Sequence, residues 1–123
     1  MIAGLGNDIT DCGRIKQMMR KFGDLFLDHL LTPKEKAESK GRFSYCAGRW
    51  AAKEAVSKAL GCGIGGNCAF TDIEIIDNES GKPEVKLSGA AELTAKRLKV
   101  DRIHLSISHE RHYAVATVIL ESD

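Results

Sequence analysis

The feature that most constrains the fold is an alanine-rich segment near the middle of the chain, GRWAAKEAVSKALG, which covers residues 48–61. Its apolar residues recur at intervals of three and four, which predicts the second half of a long helix with one buried face. These residues are Ala52, Ala55, Val56, Ala59 and Leu60. Because most of them are alanines, this helix can pack very close to its neighbour. Gly61 can supply the left-handed residue that ends it.

Glu54 and Lys58 lie on the opposite side of this helix, one turn apart. An acid and a lysine at this spacing usually form a solvated ion pair worth a few tenths of a kcal/mol. They can also form one side of a functional site, if the fold brings other polar groups to them. Gly48, which costs about 1 kcal/mol relative to alanine inside a helix, indicates close packing near the start of the segment.

Composition limits the classes of protein that this chain can belong to. It has 123 residues and a formal net charge of +1. The length predicts one domain over residues 1–123, and the charge gives no global signal for nucleic acid. No apolar run reaches ~18 residues, and the first residues lack the pattern of a signal peptide. We therefore expect a cytoplasmic protein without nucleic-acid or membrane partners, whose four cysteines are reduced thiols.

The N-terminal half predicts one strand followed by short helices. Residues 2–8 predict a strand that ends at Asp8, and its Gly4 and Gly6 leave room for another backbone or a ligand. Asp8 can be a turn former, a helix cap or a ligand, although Thr10 or Asp11 could cap the next helix equally well. That helix covers residues 13–22. Its predicted buried face consists of Ile15, Met18, Met19 and Phe22.

The other side of the 13–22 helix carries Arg14, Arg20 and Lys21 and no acid. This side is either a solvated face or a docking surface for an acidic partner. Asp24 can cap a short second helix that includes Leu25. The sequence TPKE at residues 32–35 is a capping box with proline at the first helical position, which begins a third helix.

The C-terminal half predicts strands that pair as hairpins. They cover residues 71–75, 84–87, 103–108 and 113–120, and the last is apolar enough to be central. Ser88 can cap a helix over residues 89–99 with Leu98 on its inner face. Strands that pair locally, with helices segregated in sequence, predict an α+β fold with an antiparallel-rich sheet and a long central helix.

Three segments together resemble the 4′-phosphopantetheinyl transferases. They are Gly6-Asn7-Asp8, then W-x-x-K-E-A-x-x-K over residues 50–58, then Gly81-Lys82-Pro83. The opening IAGLGNDITDCGRI and the closing SISHERHYAVA are similar to the short, single-domain class of that family, the holo-acyl-carrier-protein synthases. The likeness covers essentially the whole chain, and the glycine-lysine-proline segment alone is its weakest part.

The resemblance implies an activity and a site. The family moves 4′-phosphopantetheine from coenzyme A to a serine of apo acyl carrier protein, releases adenosine 3′,5′-bisphosphate and requires Mg²⁺. It implies that Asp8 and Glu54 are metal ligands and that Lys58 contacts the pyrophosphate, so these three are the candidate catalytic residues. Glu54 is also the candidate base for the serine proton. The remaining positions implied to bind coenzyme A are Lys40, Arg42, Arg49, Ser57, Gly61, Pro83 and His109.

The same resemblance implies a homotrimer with sites across subunit boundaries, and a carrier-docking surface at Arg14, Arg20 and Lys21. Trp50 stands where the family generally has phenylalanine, and Cys62 where it often has threonine. His109 can instead be a plain turn histidine. Two other functions remain open: a non-catalytic module that binds a nucleotide or an acidic protein, and a structural homotrimer without a ligand.

Overall fold

The computed structural model describes all residues from 1 to 123. Its elements, in chain order, are β1 (Ile2–Asp11), α1 (Cys12–Phe22), α2 (Asp24–Leu30), α3 (Pro33–Ser39), α4 (Phe43–Ala59), β2 (Ile73–Asp77), β3 (Pro83–Leu87), α5 (Gly89–Arg97), β4 (Arg102–His109) and β5 (Tyr113–Glu121). A 3₁₀ turn, Phe70–Asp72, precedes β2. This arrangement confirms the predicted α+β class. No helix combines the length and the apolar character that crossing a membrane requires.

The strands form two antiparallel sheets where the sequence suggested one. The larger sheet has the order β1-β5-β4, and the smaller one pairs β2 with β3. The apolar strand β5 is central, as predicted. Its alternate residues Ala114, Ala116, Val118 and Leu120 are fully buried on the side that faces α4.

Helix α4 is the centre of the packing. The predicted stripe from Ala52 to Leu60 is buried throughout, and Gly61 adopts a φ of 79° just after the helix. The helix is also buried on a second side, where Lys53 and Ser57 are completely enclosed. The sequence pattern did not predict this second buried side, because it consists of polar residues.

Two strand boundaries correct the sequence prediction. Asp8 lies inside β1 and not at its end, because pairing with β5 continues as far as Asp11, opposite Tyr113. Asp11 is therefore the cap of α1, and its carboxylate accepts hydrogen bonds from the Gly13 and Arg14 amides at 2.8 and 3.2 Å. The segment at residues 71–72 belongs to the 3₁₀ turn, and α5 ends at Arg97 instead of residue 99. The capping box between Thr32 and Glu35 is confirmed.

Two apolar side chains that were predicted to be buried are exposed: Phe22 and Leu98. Helical periodicity identifies an apolar face, but it does not show that the fold covers all of that face. Ser88 does not cap α5 with its side chain; its hydroxyl donates to the Asp72 carbonyl at 3.4 Å. All four cysteines are free, with Cys46 and Cys68 buried.

Candidate active site

Two glycines of β1 bring this strand into direct contact with the backbone of α4. A Cβ atom on Gly6 would lie 2.1 Å from the Ala55 carbonyl oxygen, and one on Gly4 would lie 2.2 Å from that of Ala59. Only glycine fits at separations this short. The small residues predicted on both elements therefore let β1 and α4 touch, which places Asp8 beside the polar side of the helix.

Lys58 pairs with Asp8 and not with Glu54. Its ammonium lies 3.0 Å from Asp8 Oδ1 and donates a second hydrogen bond to the Asn7 carbonyl at 3.1 Å. The Thr10 hydroxyl donates to Asp8 Oδ2 at 2.8 Å, so both oxygens of this carboxylate are engaged. The Asp8 side chain is 14% exposed and that of Lys58 50%. The helical ion pair considered from the sequence is therefore not formed.

Glu54 is half-buried and close enough to Asp8 for the two charges to repel. Burial raises the pKa of the Glu54 carboxyl above its usual value, and the negative charge of Asp8 raises it further. The positive charges of Lys58 and Arg14 oppose this pKa shift. Two carboxylates from different elements, partly removed from water, favour a cation between them.

The donor set fits Mg²⁺ better than a transition metal. The chain contains no group of three or more histidine, cysteine, aspartate or glutamate side chains that could hold an ion. A zinc site needs at least three such ligands from the protein. Mg²⁺, in contrast, is commonly held by one or two carboxylates and completes its coordination with substrate phosphates and water. Asp8 and Glu54 match that second pattern.

The basic side of α1 borders this cluster. The Arg14 guanidinium lies 5.5 Å above the Trp50 ring, and its charge acts on Glu54. Arg20 lies 5.7 Å above Phe43, and Lys21 lies 5.3 Å above Phe22. All three cations predicted for docking therefore lie over aromatic rings. Such a contact holds the side chain in place and leaves its positive charge exposed.

An apolar groove of about 420 Å³ runs beside Arg14. Its lining residues are Met18, Phe22, Leu25, Phe26, His29 and Trp50. Phe22, wrongly predicted to be buried, and Leu25 form part of its exposed wall. This groove was not predicted from the sequence, although two large apolar residues at the junction of two short helices were a possible signal.

The predicted nucleotide-binding residues do not join the Asp8 cluster within one chain. Arg49 is almost completely buried, and its guanidinium donates to the Ile75 carbonyl at 3.2 Å. It also lies 3.5 Å from an Asp77 oxygen and 3.6 Å from a Glu38 oxygen. Its Nε has no partner. Arg49 lies five residues before Glu54, which places it about 140° around the helix from that carboxylate.

Lys40 and Arg42 lie at the junction of α3 and α4. Lys40 is exposed, and its backbone adopts the left-handed conformation with a φ of 51°. Arg42 donates to the carbonyls of Ser39 and Glu38 at 2.9 and 3.2 Å. Their charges are thus available at the surface, but no hydrogen bond connects them with Asp8 or Glu54.

His109 ends β4 and lies over Gly48, where a Cβ atom would come within 2.6 Å of the imidazole Nε2. This Nε2 is 3.1 Å from the Ser44 carbonyl oxygen. Gly48 therefore makes room for the histidine, which explains the glycine inside α4. The ring borders a pocket of about 370 Å³ that Lys16 and Arg111 also line.

The other predicted positions have structural partners of their own. Pro83 is half-buried at the start of β3, opposite Asp77. Ser57 is fully buried and donates to the Glu54 carbonyl at 2.7 Å. Gly61 is exposed and takes up the positive φ after α4.

The outer face of the larger sheet has no covering element. Leu5 and Ile9 of β1 are each 66% exposed, and Val115 and Tyr113 of β5 are also exposed. Ile9 is directly opposite Val115. An apolar sheet face without a covering layer is typical of a protein interface.

Comparisons with known proteins agree with this arrangement. A family model described as the 4′-phosphopantetheinyl transferase superfamily matches residues 4–118. A holo-[acyl-carrier-protein] synthase of Vibrio parahaemolyticus is 48% identical over 124 residues, with 98% of each chain covered. A crystal structure of such a synthase from Neisseria meningitidis has a TM-score of 0.91 and 38% identity, and covers 99% of this chain and 100% of its own. Another, from Bacillus anthracis in complex with CoA (3′,5′-ADP), has a TM-score of 0.84 and 41% identity, with 100% and 99% covered.

Proposed function

The chain belongs to the 4′-phosphopantetheinyl transferase superfamily and is an enzyme of the holo-[acyl-carrier-protein] synthase class, and we propose that it transfers 4′-phosphopantetheine from coenzyme A to a serine of apo acyl carrier protein. The other product is adenosine 3′,5′-bisphosphate. The observation that carries this proposal is the convergence of Asp8, Glu54 and Lys58 where β1 touches α4.

Asp8 and Glu54 are the residues that would hold Mg²⁺. When bound, the ion would neutralise the pyrophosphate of coenzyme A and polarise the phosphorus that is attacked. Lys58 is half exposed, so its ammonium can turn from Asp8 towards the pyrophosphate oxygens. There it would stabilise the negative charge that develops on the leaving phosphate.

Glu54 is the proposed base. As the serine oxygen bonds to the phosphorus nearer to pantetheine, the bond from this phosphorus to the oxygen of the bisphosphate breaks. The serine proton passes to Glu54, directly or through one water. In the metal-free protein, burial and the charge of Asp8 raise the pKa of Glu54; bound Mg²⁺ would oppose this shift.

A site that spans two subunits accounts for the separation of the nucleotide-binding candidates. No hydrogen bond or ion pair links Lys40, Arg42, Arg49, Pro83 or His109 with the Asp8 cluster. We propose that a second chain supplies part of this set, and that the protein is a homotrimer. The uncovered apolar face around Ile9 and Val115 supports the association of identical chains, since β1 carries both Ile9 and Asp8.

The carrier protein would dock on α1. Carrier proteins are acidic, and the cations Arg14, Arg20 and Lys21 offer a complementary charge. The apolar groove between Met18 and Trp50 can accept an apolar side chain of the partner. Because Arg14 borders both the groove and Glu54, a carrier bound there would present its serine close to the proposed base. We also propose a cytoplasmic location, which the four free cysteines support.

Mass spectrometry of an apo acyl carrier protein tests the proposal. The wild-type enzyme with coenzyme A and Mg²⁺ should add one phosphopantetheine to the carrier, and chelation of the metal should prevent this. A carrier whose acceptor serine is replaced by alanine is the control and should gain no mass. A carrier that binds without any mass gain would favour the non-catalytic module instead. If Glu54→Gln keeps near-normal turnover at saturating Mg²⁺, both roles of Glu54 are wrong.

A further inference from the structure

A buried ion pair lies on the side of α4 that faces away from solvent. The Lys53 ammonium is 2.6 Å from Glu35 Oε1, and both side chains are completely buried. Lys53 also donates to the Leu30 carbonyl at 2.7 Å. Lys53 directly precedes Glu54, yet its ammonium is enclosed, so in this arrangement it contacts neither the solvent nor a ligand at the Asp8 cluster.

The pair and its partners together belong to four different elements. Glu35 Oε1 accepts a hydrogen bond from the Thr32 amide at 2.9 Å, which is part of the capping box of α3. Glu35 Oε2 accepts one from the Ile75 amide of β2, also at 2.9 Å. With the Leu30 carbonyl at the end of α2, the pair ties α4 to α2, α3 and β2 at one point.

The Lys53–Glu35 pair lies beside the part of the α4 surface that carries Glu54 and Lys58. At about 100° per residue, Glu54 follows Lys53 by about 100° and Lys58 by about 140° around the helix. On the other flank, at about 200–240°, Ala55 and Ala59 touch the glycines of β1. The strip that carries Glu54 and Lys58 therefore lies between two fixed contacts, and rotation of α4 would have to break one of them.

We propose that Lys53 and Glu35 are positioning residues, which fix the rotation of α4 so that Glu54 and Lys58 face Asp8. This inference rests on the proposed function for the roles of Glu54 and Lys58. It assigns the two lysines of the K-E-x-x-x-K segment different tasks: Lys53 acts from inside the fold, and Lys58 acts at the substrate. A buried ion pair does not need to be retained for stability alone, because apolar residues of similar volume often replace such pairs without loss.

Two variants separate positioning from simple stabilisation. Lys53→Met with Glu35→Gln removes both charges and leaves no unpaired charge in the core. Glu35→Asp keeps both charges but shortens one side chain, on an element that carries no proposed catalytic residue. Lys36→Met is the matched control, since Lys36 adjoins Glu35 in α3 but forms only exposed ion pairs with Asp24 and Asp28. Each variant is assayed for kcat, for KM of carrier and coenzyme A, and for its unfolding midpoint.

Positioning predicts a fall in kcat of at least about tenfold in both variants, because a misplacement of about 1 Å can cost about 100-fold. The KM for the carrier should change less than kcat, since the docking cations Arg14, Arg20 and Lys21 on α1 are untouched. The extra rise in unfolding midpoint that Mg²⁺ adds to that of coenzyme A should be lost in the double variant. Lys36→Met should match the wild type in every measurement.

A folded double variant with wild-type kcat and an intact Mg²⁺-dependent rise would overturn the inference. If the double variant does not fold, Glu35→Asp decides: a normal kcat with a lowered unfolding midpoint would assign the pair to stability alone. Failure of the proposed function is a different result, in which the wild-type enzyme itself adds no phosphopantetheine to the carrier.

Discussion

Replacement of Gly6 by alanine tests the contact between β1 and α4 on which the site depends. The new Cβ would lie 2.1 Å from the Ala55 carbonyl oxygen and 2.7 Å from the Ala59 amide nitrogen. The first distance is about 0.9 Å short of the 3.0 Å below which real Cβ contacts essentially do not occur. Both obstacles are backbone atoms, so no side chain can rotate away, and the strand and the helix must separate.

Overpacking of this kind typically costs about 1–3 kcal/mol, and the backbone contact places Gly6→Ala near the upper end. The entropy of unfolding is about 2.1 cal/mol/K per residue, or about 0.26 kcal/mol/K for 123 residues. A loss of about 3 kcal/mol should therefore lower the unfolding midpoint by about 12 °C. Because β1 carries Asp8, a shift of almost 1 Å should also lower kcat by about 100-fold.

Thermal unfolding at equal protein concentrations and steady-state transfer rates measure both effects. Gly66→Ala is the control, since a Cβ there would have no atom within 4 Å and its φ is not in the left-handed region. Its free energy of unfolding should change by no more than about 0.5 kcal/mol. If Gly6→Ala unfolds within about 2 °C of the wild type and keeps its kcat, the close approach of β1 and α4 is refuted.

Three further predictions address charge and association. Glu54→Gln should abolish most activity yet raise the unfolding midpoint of the ligand-free protein at pH 7, because burial and the charge of Asp8 raise the pKa of Glu54 in the fold. The ionised carboxylate therefore lowers the free energy of unfolding. This loss is absent below the usual glutamate pKa and develops as the pH rises through the raised pKa. If Glu54→Gln raises the unfolding midpoint equally at pH 4, the raised pKa is not the cause. Arg14→Glu should raise KM for the carrier by about tenfold at low salt and leave that for coenzyme A unchanged; equal effects on both would exclude a docking role. Ile9→Lys places a charge on an exposed apolar face, so it should dissociate the proposed homotrimer without unfolding the chain, as sedimentation would show; an unchanged assembly would place the interface elsewhere.

Local signals predicted much of the fold correctly. The alanine stripe of α4, the glycines of β1 and the capping box at Thr32 act through neighbouring backbone, so their effect can be inferred from sequence spacing. The apolar sequence of β5 likewise indicated a central strand. In each case the residue type and its spacing imply one local geometry.

Contacts between distant residues could not be predicted in this way. The ion pair between Glu35 and Lys53 spans 18 positions, and charged residues are rarely completely buried, so no local pattern indicated that these two lie inside. Asp8 was predicted at a strand end because the pairing of Asp11 with Tyr113 is non-local. The exposure of Phe22 depends on whether another element packs over it, and helical periodicity does not show this.

The candidate site, too, could be predicted only in part. That Asp8, Glu54 and Lys58 act together was implied by the family resemblance, and the glycine contacts give the physical reason why β1 and α4 can converge. Lys58 pairs with Asp8 instead of Glu54 because of how β1 and α4 are oriented, and no local pattern specifies this orientation. The burial of Arg49 among Glu38, Asp77 and the Ile75 carbonyl was equally beyond sequence spacing.

A crystal structure of the protein with coenzyme A and Mg²⁺ would show whether Asp8 and Glu54 share the metal ion. We expect one Mg²⁺ about 2.0–2.1 Å from a carboxylate oxygen of Asp8 and from one of Glu54, with oxygens of the pyrophosphate and water as its other ligands. The Lys58 ammonium should then have left Asp8 for a phosphate oxygen. A cation bound by neither carboxylate, or a pyrophosphate that lies away from Lys58, would rule out the proposed site.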